Sequence, residues 1–307
     1  MQGITPHLWF DKEAKQAAEL YTSLFPDSKI TSHKTLRNTP SGDCDILSFE
    51  LAGQPFMAIS AGPLFKFNPS ISFILNFDPS KDPAAREHLD ATWQVLSQGG
   101  QALMPLDAYP FSPRFGWIQD RFGVSWQLIL TNPTGEERPF ITPTLMFTGG
   151  NAGRAEEAID FYCTVFGNGP SAVAARRGTT ALYPNGAAPD KEGTLMFGDF
   201  HVRDTWFAAM DSAHPHGFGF NESISFMVSC KSQEEIDYYW EKLAADPDAG
   251  QCGWLQDRFG LSWQITPSAM NEMMSKGTPE QMARVTQAFL PMKKFDIAAL
   301  QRAFDGA

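Results

Sequence analysis

Residues 116–128 read GWIQDRFGVSWQL, and residues 253–265 read GWLQDRFGLSWQI. Ten of the thirteen positions are identical, and the other three exchange one aliphatic residue for another. A match of this length, at an offset of 137 residues, indicates that the chain contains an internal duplication.

Two further pairs of segments match in the same order along the chain. ITPHLWF at 4–10 corresponds to ITPTLMF at 141–147, again at an offset of 137 residues. FNPSISF at 67–73 corresponds to FNESISF at 220–226. Because all the matches keep their order, the sequence predicts two homologous domains in tandem.

The predicted domains cover residues 1–133 and 139–268, and a tail follows at 269–307. The segment TNPTGEERP at 131–139 is rich in proline, glycine and charge, as expected of an exposed connection. A chain of 307 residues accommodates two domains of about 100–200 residues each.

Each domain shows the pattern βαβββ twice. In domain one, Asp11 is expected to cap a helix that runs through Phe25, and a second helix is predicted at 83–97. Domain two is predicted to have the same order of elements. The tail has helical periodicity at 278–289 and 295–304, which predicts two amphipathic helices that pack on domain two or on a partner.

The composition excludes several classes of protein. With 35 acidic and 24 basic side chains the formal net charge is −11, so a general nucleic-acid binder or a protein of anionic membranes is not expected. No apolar run is long enough to span a membrane and no signal peptide is recognised, so we expect a cytoplasmic protein. The four cysteines lie far apart and are expected to be free thiols: Cys44, Cys163, Cys230 and Cys252.

The order of the elements resembles that of the vicinal oxygen chelate superfamily, the glyoxalase and bleomycin-resistance fold. The helix end at 21–25 stands where that family has its helical signature, and the turn at 120–123 stands where it has its last-strand turn. FNxSISF and GWxQDRFGxSWQ further resemble the PhnB-like branch, which is often labelled a 3-demethylubiquinone methyltransferase-like domain. The resemblance implies an α+β fold in which each domain is a pair of βαβββ modules that close around a cavity.

Enzymes of this superfamily typically hold a divalent metal with His, Gln or Glu side chains from strands one and four of each module. The alternation of the first strand places His7 and Trp9 toward the cavity, and that of the last strand places Ser125 and Gln127 there. Gln127 stands where an active relative would usually have Glu. The resemblance thus implies one imidazole and one amide as metal ligands, fewer than the three or four usually needed.

The two remaining ligand positions implied by the resemblance are Ser60 and Ser72, and serine is a poor ligand for a transition metal. In domain two the four corresponding residues are Thr144, Asp211, Ser225 and Gln264. Of these only Asp211 is a good hard ligand. His7, Gln127 and Asp211 therefore remain weak candidates, and no metal cofactor is expected.

Aromatic residues offer a second kind of site. Trp9 has no aromatic counterpart in domain two, and with Phe65 and Phe67 it could form an apolar lining for a planar ligand. The repeated tryptophans are predicted to lie in the core: Trp117, Trp126, Trp254 and Trp263. Domain one keeps His7 and Trp9, so it is the better candidate for a functional pocket.

The sequence leaves three functional hypotheses. The first is a metal-independent protein that binds a small molecule, with a candidate site at His7, Trp9, Phe65, Phe67, Ser72, Ser125 and Gln127. The second is a metal-dependent lyase, isomerase or dioxygenase that uses domain one. A methyltransferase is the least favoured, because no Gly-rich loop follows a first parallel strand as it would around S-adenosylmethionine. A homodimer, with the tail as a candidate interface, is a further alternative.

Overall fold

The chain folds into two mixed β-sheets, with the helices of the repeats on one face of each sheet. The structure, a computed structural model, describes residues 3–39, 42–132, 137–171 and 175–306. Residues 133–136, in the predicted linker, lie outside the described residues. The α+β class and the tandem duplication predicted from the sequence are confirmed.

The first repeat contains two modules. Module 1 consists of β1 (Thr5–Phe10), α1 (Ala14–Leu24), β2 (Lys29–Thr39), β3 (Gly42–Leu51) and β4 (Gln54–Ser60). Module 2 consists of β5 (Ile71–Phe77), α2 (Ala85–Leu96), β6 (Gln101–Tyr109), β7 (Ser112–Gln119) and β8 (Ser125–Leu130). Both therefore have the predicted βαβββ order.

The second repeat also contains two modules, and the tail adds three helices. Module 3 consists of β9 (Ile141–Phe147), α3 (Ala155–Gly167), β10 (Arg176–Leu182), β11 (Leu195–Val202) and β12 (Thr205–Asp211). Module 4 consists of β13 (Ile224–Cys230), α4 (Gln233–Leu243), β14 (Trp254–Gln256) and β15 (Ser262–Pro267). The tail forms α5 (Ser268–Lys276), α6 (Pro279–Phe289) and α7 (Ile297–Asp305). None of the helices in the described part of the chain is long and apolar enough to cross a membrane.

Module 4 departs from the predicted pattern by one strand, because two strands and not three follow its helix in the described residues. The tail lies against the segment that leads into β14. Cys252 N donates to Met292 O at 2.7 Å, and Gly253 N donates to Lys293 O at 2.8 Å. Backbone atoms of the tail thus satisfy donors near the edge that a third strand would otherwise cover.

The modules pair across the repeats. Sheet A has the strand order β14-β15-β13-β1-β4-β3-β2 and joins module 1 to module 4 through antiparallel β1 and β13. Sheet B has the order β10-β11-β12-β9-β5-β8-β7-β6 and joins module 2 to module 3 through antiparallel β5 and β9. The sequence predicts that consecutive modules of one domain pair, whereas in the structure each sheet joins modules of different repeats.

Modules of the same repeat pack instead through their helix-bearing faces, at the repeated motif. The buried carboxylate of Asp120, which precedes β8, accepts a hydrogen bond from Tyr21 Oη at 2.7 Å and one from Trp126 Nε1 at 2.9 Å. Its Oδ1 accepts the backbone N–H groups of Phe122 and Val124 at 2.9 and 3.0 Å. The predicted turn is therefore present. Its aspartate also links module 2 to α1 of module 1 through the hydrogen bond from Tyr21. Within each module the first strand lies at the edge of that module's own strands. It is therefore free to pair with the first strand of a module from the other repeat.

Candidate functional site

The helix-free face of sheet A is built by modules 1 and 4 together. Leu8 and Phe10 belong to the core beneath α1, so His7 and Trp9 project from the opposite face of β1, as predicted. In the register of the sheet, His7 lies opposite Ser225 of β13. Two homologous but distant parts of the chain thus meet at this face.

The predicted site residues are divided between two sheets. His7 and Trp9 lie on sheet A, whereas Ser72 and Gln127 project from the helix-free face of sheet B, where Ser72 lies opposite Thr144. His7 and Gln127, which the resemblance implies as the two ligands of one metal, therefore lie on different sheets. Ser125 lies on sheet B with Gln127. Gln264 of module 4 takes the place beside His7 that was expected for Gln127.

Unsatisfied polar atoms are concentrated on the helix-free face of sheet A. Among the described residues, seven buried side-chain polar atoms make no hydrogen bond, and four of them belong to this face. These four are His7 Nδ1, Ser229 Oγ, Ser262 Oγ and Thr266 Oγ1. The register places Ser262 beside Ser225, and Thr266 beside Ser229. Buried polar atoms ordinarily form hydrogen bonds. On this face four of them are available to bond with a ligand or water.

On sheet B the corresponding polar groups are paired with one another. Gln127 Nε2 donates to Ser72 Oγ at 2.9 Å, and Trp117 Nε1 donates to Ser125 Oγ at 2.7 Å. Thr144 Oγ1 donates to the carbonyl of Thr142 at 3.3 Å. None of the seven unpaired atoms belongs to these residues.

A side chain from the segment before β9 also occupies part of the space over the helix-free face of sheet B. The Arg138 guanidinium lies 3.6 Å from the centre of the Trp206 ring and forms an ion pair with Asp199, with Nε 2.7 Å from Oδ2. Both partners of this ion pair are largely buried. A cavity of about 1250 Å³ remains beside this ion pair, lined by Asn76, Ile129 and Phe197 among others. The polar groups at the centre of sheet B are nevertheless paired with one another, whereas four on sheet A are not, and this makes sheet A the better candidate for a polar ligand.

Tryptophan and histidine rings line the middle of sheet A. Trp254 packs edge-on against His7 with ring centres 5.5 Å apart, and the Trp9 and Trp254 rings lie 6.2 Å apart. Burial lowers the pKa of His7 to about 4, so the imidazole is neutral at pH 7. The prediction that all four repeated tryptophans lie in the core is wrong for Trp254, and for Trp117, which projects beside Gln127 on sheet B. Trp126 and Trp263 are in the core.

Two of the implied ligand positions serve the helices instead. Ser60 Oγ accepts the backbone N–H of Ala14 at 3.2 Å, at the start of α1. Asp211 occupies the equivalent place before α3, where Oδ1 accepts the N–H groups of Gly153 and Ala155 at 2.8 and 3.0 Å. Its Oδ2 accepts Leu195 N at 3.1 Å. Neither side chain projects from the helix-free face of its own sheet. Asp211 is therefore not placed to bind a metal on the helix-free face of sheet B.

The donor set on sheet A does not fit a divalent transition metal. It offers one imidazole, His7, one amide, Gln264, and several hydroxyl groups, and Gln264 Nε2 donates to Ser225 Oγ at 2.9 Å. Catalytic sites for such metals need about three nitrogen, sulfur or carboxylate ligands. Within the described ranges there is no cluster of three or more His, Cys, Asp or Glu side chains that could hold a metal.

Helix α5 covers sheet A from the tail. It leaves the end of β15, and the carbonyl of Met274 near its other end accepts a hydrogen bond from Lys34 Nζ of β2 at 2.7 Å. A helix of nine residues is about 14 Å long, whereas the five strand spacings from β15 to β2 measure about 24 Å along the sheet. The extended Lys34 side chain spans the remaining distance, so α5 is in contact with strands on both sides of the centre of sheet A. Met273 is buried, and Met270 packs against the core.

The aromatic residues predicted as an apolar lining are brought together. Trp9, Phe65 and Phe67 line one cavity of about 440 Å³ at the end of β1, and the rings of Trp9 and Phe65 lie 5.1 Å apart. Trp9 Nε1 donates to the carbonyl of Gly62 at 2.9 Å, which fixes the ring between this cavity and Trp254. The other predicted site residues do not line this cavity.

The four modules, paired edge to edge into two curved sheets, define a protein of the vicinal oxygen chelate fold. Glyoxalase I from Zea mays has a similar structure, with a TM-score of 0.50 and 11% sequence identity, over 88% of this chain and 94% of that chain. At this identity the similarity concerns the fold alone.

The family is given by the sequence of both repeats. The family model described as 3-demethylubiquinone-9 3-methyltransferase matches residues 2–129 and 139–266, and the chain belongs to this family. The PhnB protein of Bacillus cereus is 38% identical over 41% of this chain and 98% of its own length, with a TM-score of 0.38. A protein from Staphylococcus aureus is 34% identical over 43% of this chain and 98% of its own, with a TM-score of 0.17. No curated protein matches the chain.

Proposed function

We propose that this protein binds an uncharged, planar small molecule on the helix-free face of sheet A and that it uses no metal to do so. The observation that carries the proposal is the group of four buried polar atoms without partners on this face. A ligand with oxygen or nitrogen groups would satisfy them, and each hydrogen bond completed in a buried site contributes about 1 kcal/mol.

The charge of this face supports an uncharged ligand. The register places His7 of β1, Met57 of β4, Ser225 of β13 and Gln264 of β15 toward the helix-free side. Apart from the neutral His7, none of the described residues that project from these four strands on this side carries a titratable group. A ligand charge buried over these four strands would therefore lack a counter-ion on them and would be costly.

The face carries both apolar and polar groups, and this supports an amphipathic ring. Module 1 contributes Trp9, Met57 and Ile59 beside His7, and module 4 contributes hydroxyl and amide groups beside Met227 and Trp254. Aromatic side chains bind planar rings well. The substrate named in the family description, 3-demethylubiquinone, is a ring with oxygen substituents, and such a ring matches a face with both kinds of group. We do not extend the family's methyl transfer to this chain, because its sequence lacks the glycine-rich loop that typically holds S-adenosylmethionine.

The test uses 2,3-dimethoxy-5,6-dimethylbenzoquinone, whose ring has no free position for attack by thiols. Its binding is followed by calorimetry and by tryptophan fluorescence. Gln264→Leu and Gln127→Leu are matched variants, because each glutamine donates to one serine of its own sheet at 2.9 Å. We expect Gln264→Leu to weaken binding about tenfold or more and Gln127→Leu to leave it unchanged. Equal effects, or no saturable binding of the unmodified protein, would overturn the proposal.

Metal analysis tests the part of the proposal that says binding is independent of metal. Protein purified without chelators and without affinity-tag metal is analysed for metal beside His7→Ala. We expect no stoichiometric metal in either protein. Stoichiometric metal that His7→Ala loses would favour a metal-dependent lyase, isomerase or dioxygenase in place of the binding protein.

A further inference from the structure

The cavity of about 440 Å³ at the end of β1 is a cleft between modules 1 and 2, and it is separate from the helix-free face of sheet A. We call it the module cleft, and its lining includes Trp9, Asp11, Lys66, Phe67 and Arg121. The second repeat supplies an internal comparison, because the same fold and nearly the same motif occur there without these side chains.

In the second repeat the corresponding space is filled by the chain itself. The segment between β1 and α1 has three residues, at 11–13, whereas that between β9 and α3 has seven, at 148–154. From this longer segment the Arg154 guanidinium lies 4.5 Å from the centre of the Phe259 ring, and Asn151 Nδ2 donates to the carbonyl of Phe259 at 2.7 Å. The first repeat lacks these side chains and leaves an open cleft.

Asp11 lies in this cleft with an unsatisfied oxygen. It was expected to cap α1, but the residue at the N-cap is Glu13, and Asp11 Oδ1 is buried without a hydrogen-bond partner. In the second repeat its counterpart, Thr148, donates its hydroxyl to the carbonyl of Phe218 at 2.5 Å. A carboxylate accepts and does not donate, and the described residues offer this oxygen no donor.

Two cations also line the cleft, together with the carboxylates of Glu13 and the buried Asp120. Among the described residues, neither Lys66 nor Arg121 forms an ion pair, and both are exposed. The counterpart of Arg121 is Arg258, which lies 3.9 Å from Glu157 and 4.0 Å from the centre of the Phe161 ring. Arg121 also lies over an aromatic ring, 4.8 Å from the centre of Phe122, but among the described residues it has no carboxylate partner, so its charge is available for an anion.

We propose that the module cleft binds a small zwitterion, an amine that also bears a carboxylate and an apolar body. The ammonium would donate to Asp11, and the carboxylate would lie between Lys66 and Arg121. The apolar body would pack against Phe67 and Trp9. This site shares Trp9 with the face of sheet A, but its charged groups, Asp11, Lys66 and Arg121, do not belong to that face.

The test compares three probes that share a phenyl ring: phenylalanine, phenethylamine and 3-phenylpropanoate. Calorimetry of the unmodified full chain is expected to show saturable binding of phenylalanine and at least tenfold weaker binding of the two single-charge compounds. If either of these bound as tightly as phenylalanine, or if phenylalanine did not bind, the proposal would be overturned.

Variants then assign the contacts. Asp11→Asn and Arg121→Ala are expected to weaken phenylalanine binding at least tenfold, whereas Arg258→Ala in the second repeat should leave it unchanged. Thermal unfolding of each variant shows that it is folded. An equal loss in Arg258→Ala, or no loss in Asp11→Asn, would refute the assignment. The benzoquinone should bind Asp11→Asn as it binds the parent, so the two proposals succeed or fail separately.

Discussion

The hydroxyl oxygen of Tyr21 lies 2.7 Å from Asp120 Oδ2, and the second repeat reproduces this pair with Tyr162 and Asp257 at 2.8 Å. In both repeats the aspartate also accepts an indole N–H and two backbone N–H groups. Burial raises the pKa of Asp120, while the hydrogen bonds from Tyr21 and Trp126 oppose that rise. The strongest motif in the sequence is therefore explained by a structural contact between two modules.

This contact predicts a large loss of stability in Asp120→Ala. The substitution leaves four buried donors without an acceptor, and each unsatisfied group costs about 1–3 kcal/mol. Because the neighbouring structure can relax, we expect a loss of about 3–5 kcal/mol in the free energy of unfolding. Urea denaturation measures it.

Tyr21→Phe and Tyr109→Phe provide the controls. Tyr21→Phe removes one of the four donors and should cost about 1–2 kcal/mol. The exposed hydroxyl of Tyr109 donates to the carbonyl of Pro105 at 3.0 Å, so its loss should cost no more than about 0.5 kcal/mol. A small effect of Asp120→Ala, similar to that of Tyr109→Phe, would contradict the structural role.

The pairing of modules across the repeats predicts the behaviour of one repeat alone. A fragment of residues 1–133 would expose the edges of β1 and β5, which in the full chain pair with β13 and β9. Open strand edges associate readily, and a second copy can supply the missing partners. We therefore expect the fragment to be a homodimer in light scattering coupled to gel filtration. A stable, folded monomer at micromolar concentration would show that the edges do not need a partner.

The sequence predicts the modules well and their pairing poorly, and the duplication explains both results. The alternation of Leu8 and Phe10 with His7 and Trp9 fixes which side of β1 faces the helix. The partner of β1 could not be predicted in the same way. Residues 71–77 read ISFILNF and residues 224–230 read ISFMVSC, so two similar strands compete for one edge.

Other differences come from signals that are weak in the sequence. The orientation of Ser60 depends on a strand parity that a shift of one residue reverses. Helix α5 was not predicted, although Met270, Met273 and Met274 have the spacing i, i+3, i+4 of an amphipathic helix. The unpaired atoms on sheet A could not have been foreseen, because they depend on which two modules meet.

Asp211 is predicted to stabilise the protein without binding metal. Its carboxylate accepts three backbone N–H groups, from Gly153, Ala155 and Leu195. Asp211→Ala should lower the free energy of unfolding by about 2–4 kcal/mol, and Ser60→Ala, which loses a single acceptor, by about 1 kcal/mol. Denaturation curves compare the two, and metal analysis of both variants should equal that of the parent. A metal bound by the parent and lost in Asp211→Ala would restore Asp211 as a ligand.

His7 is predicted to make stability depend on pH. Burial lowers the pKa of His7 from 6.5 to about 4 in the folded protein. Between these values the unfolded chain binds a proton at His7 that the folded chain does not, so the free energy of unfolding falls as the pH falls. From pH 7 to pH 5 the loss is about 2 kcal/mol at this one site. In His7→Asn this contribution is absent, so the stability of the variant should approach that of the parent as the solution becomes more acidic. Urea denaturation of both proteins at pH 7 and pH 5 measures the difference, and an unchanged gap between them would show that His7 is solvated in the folded protein.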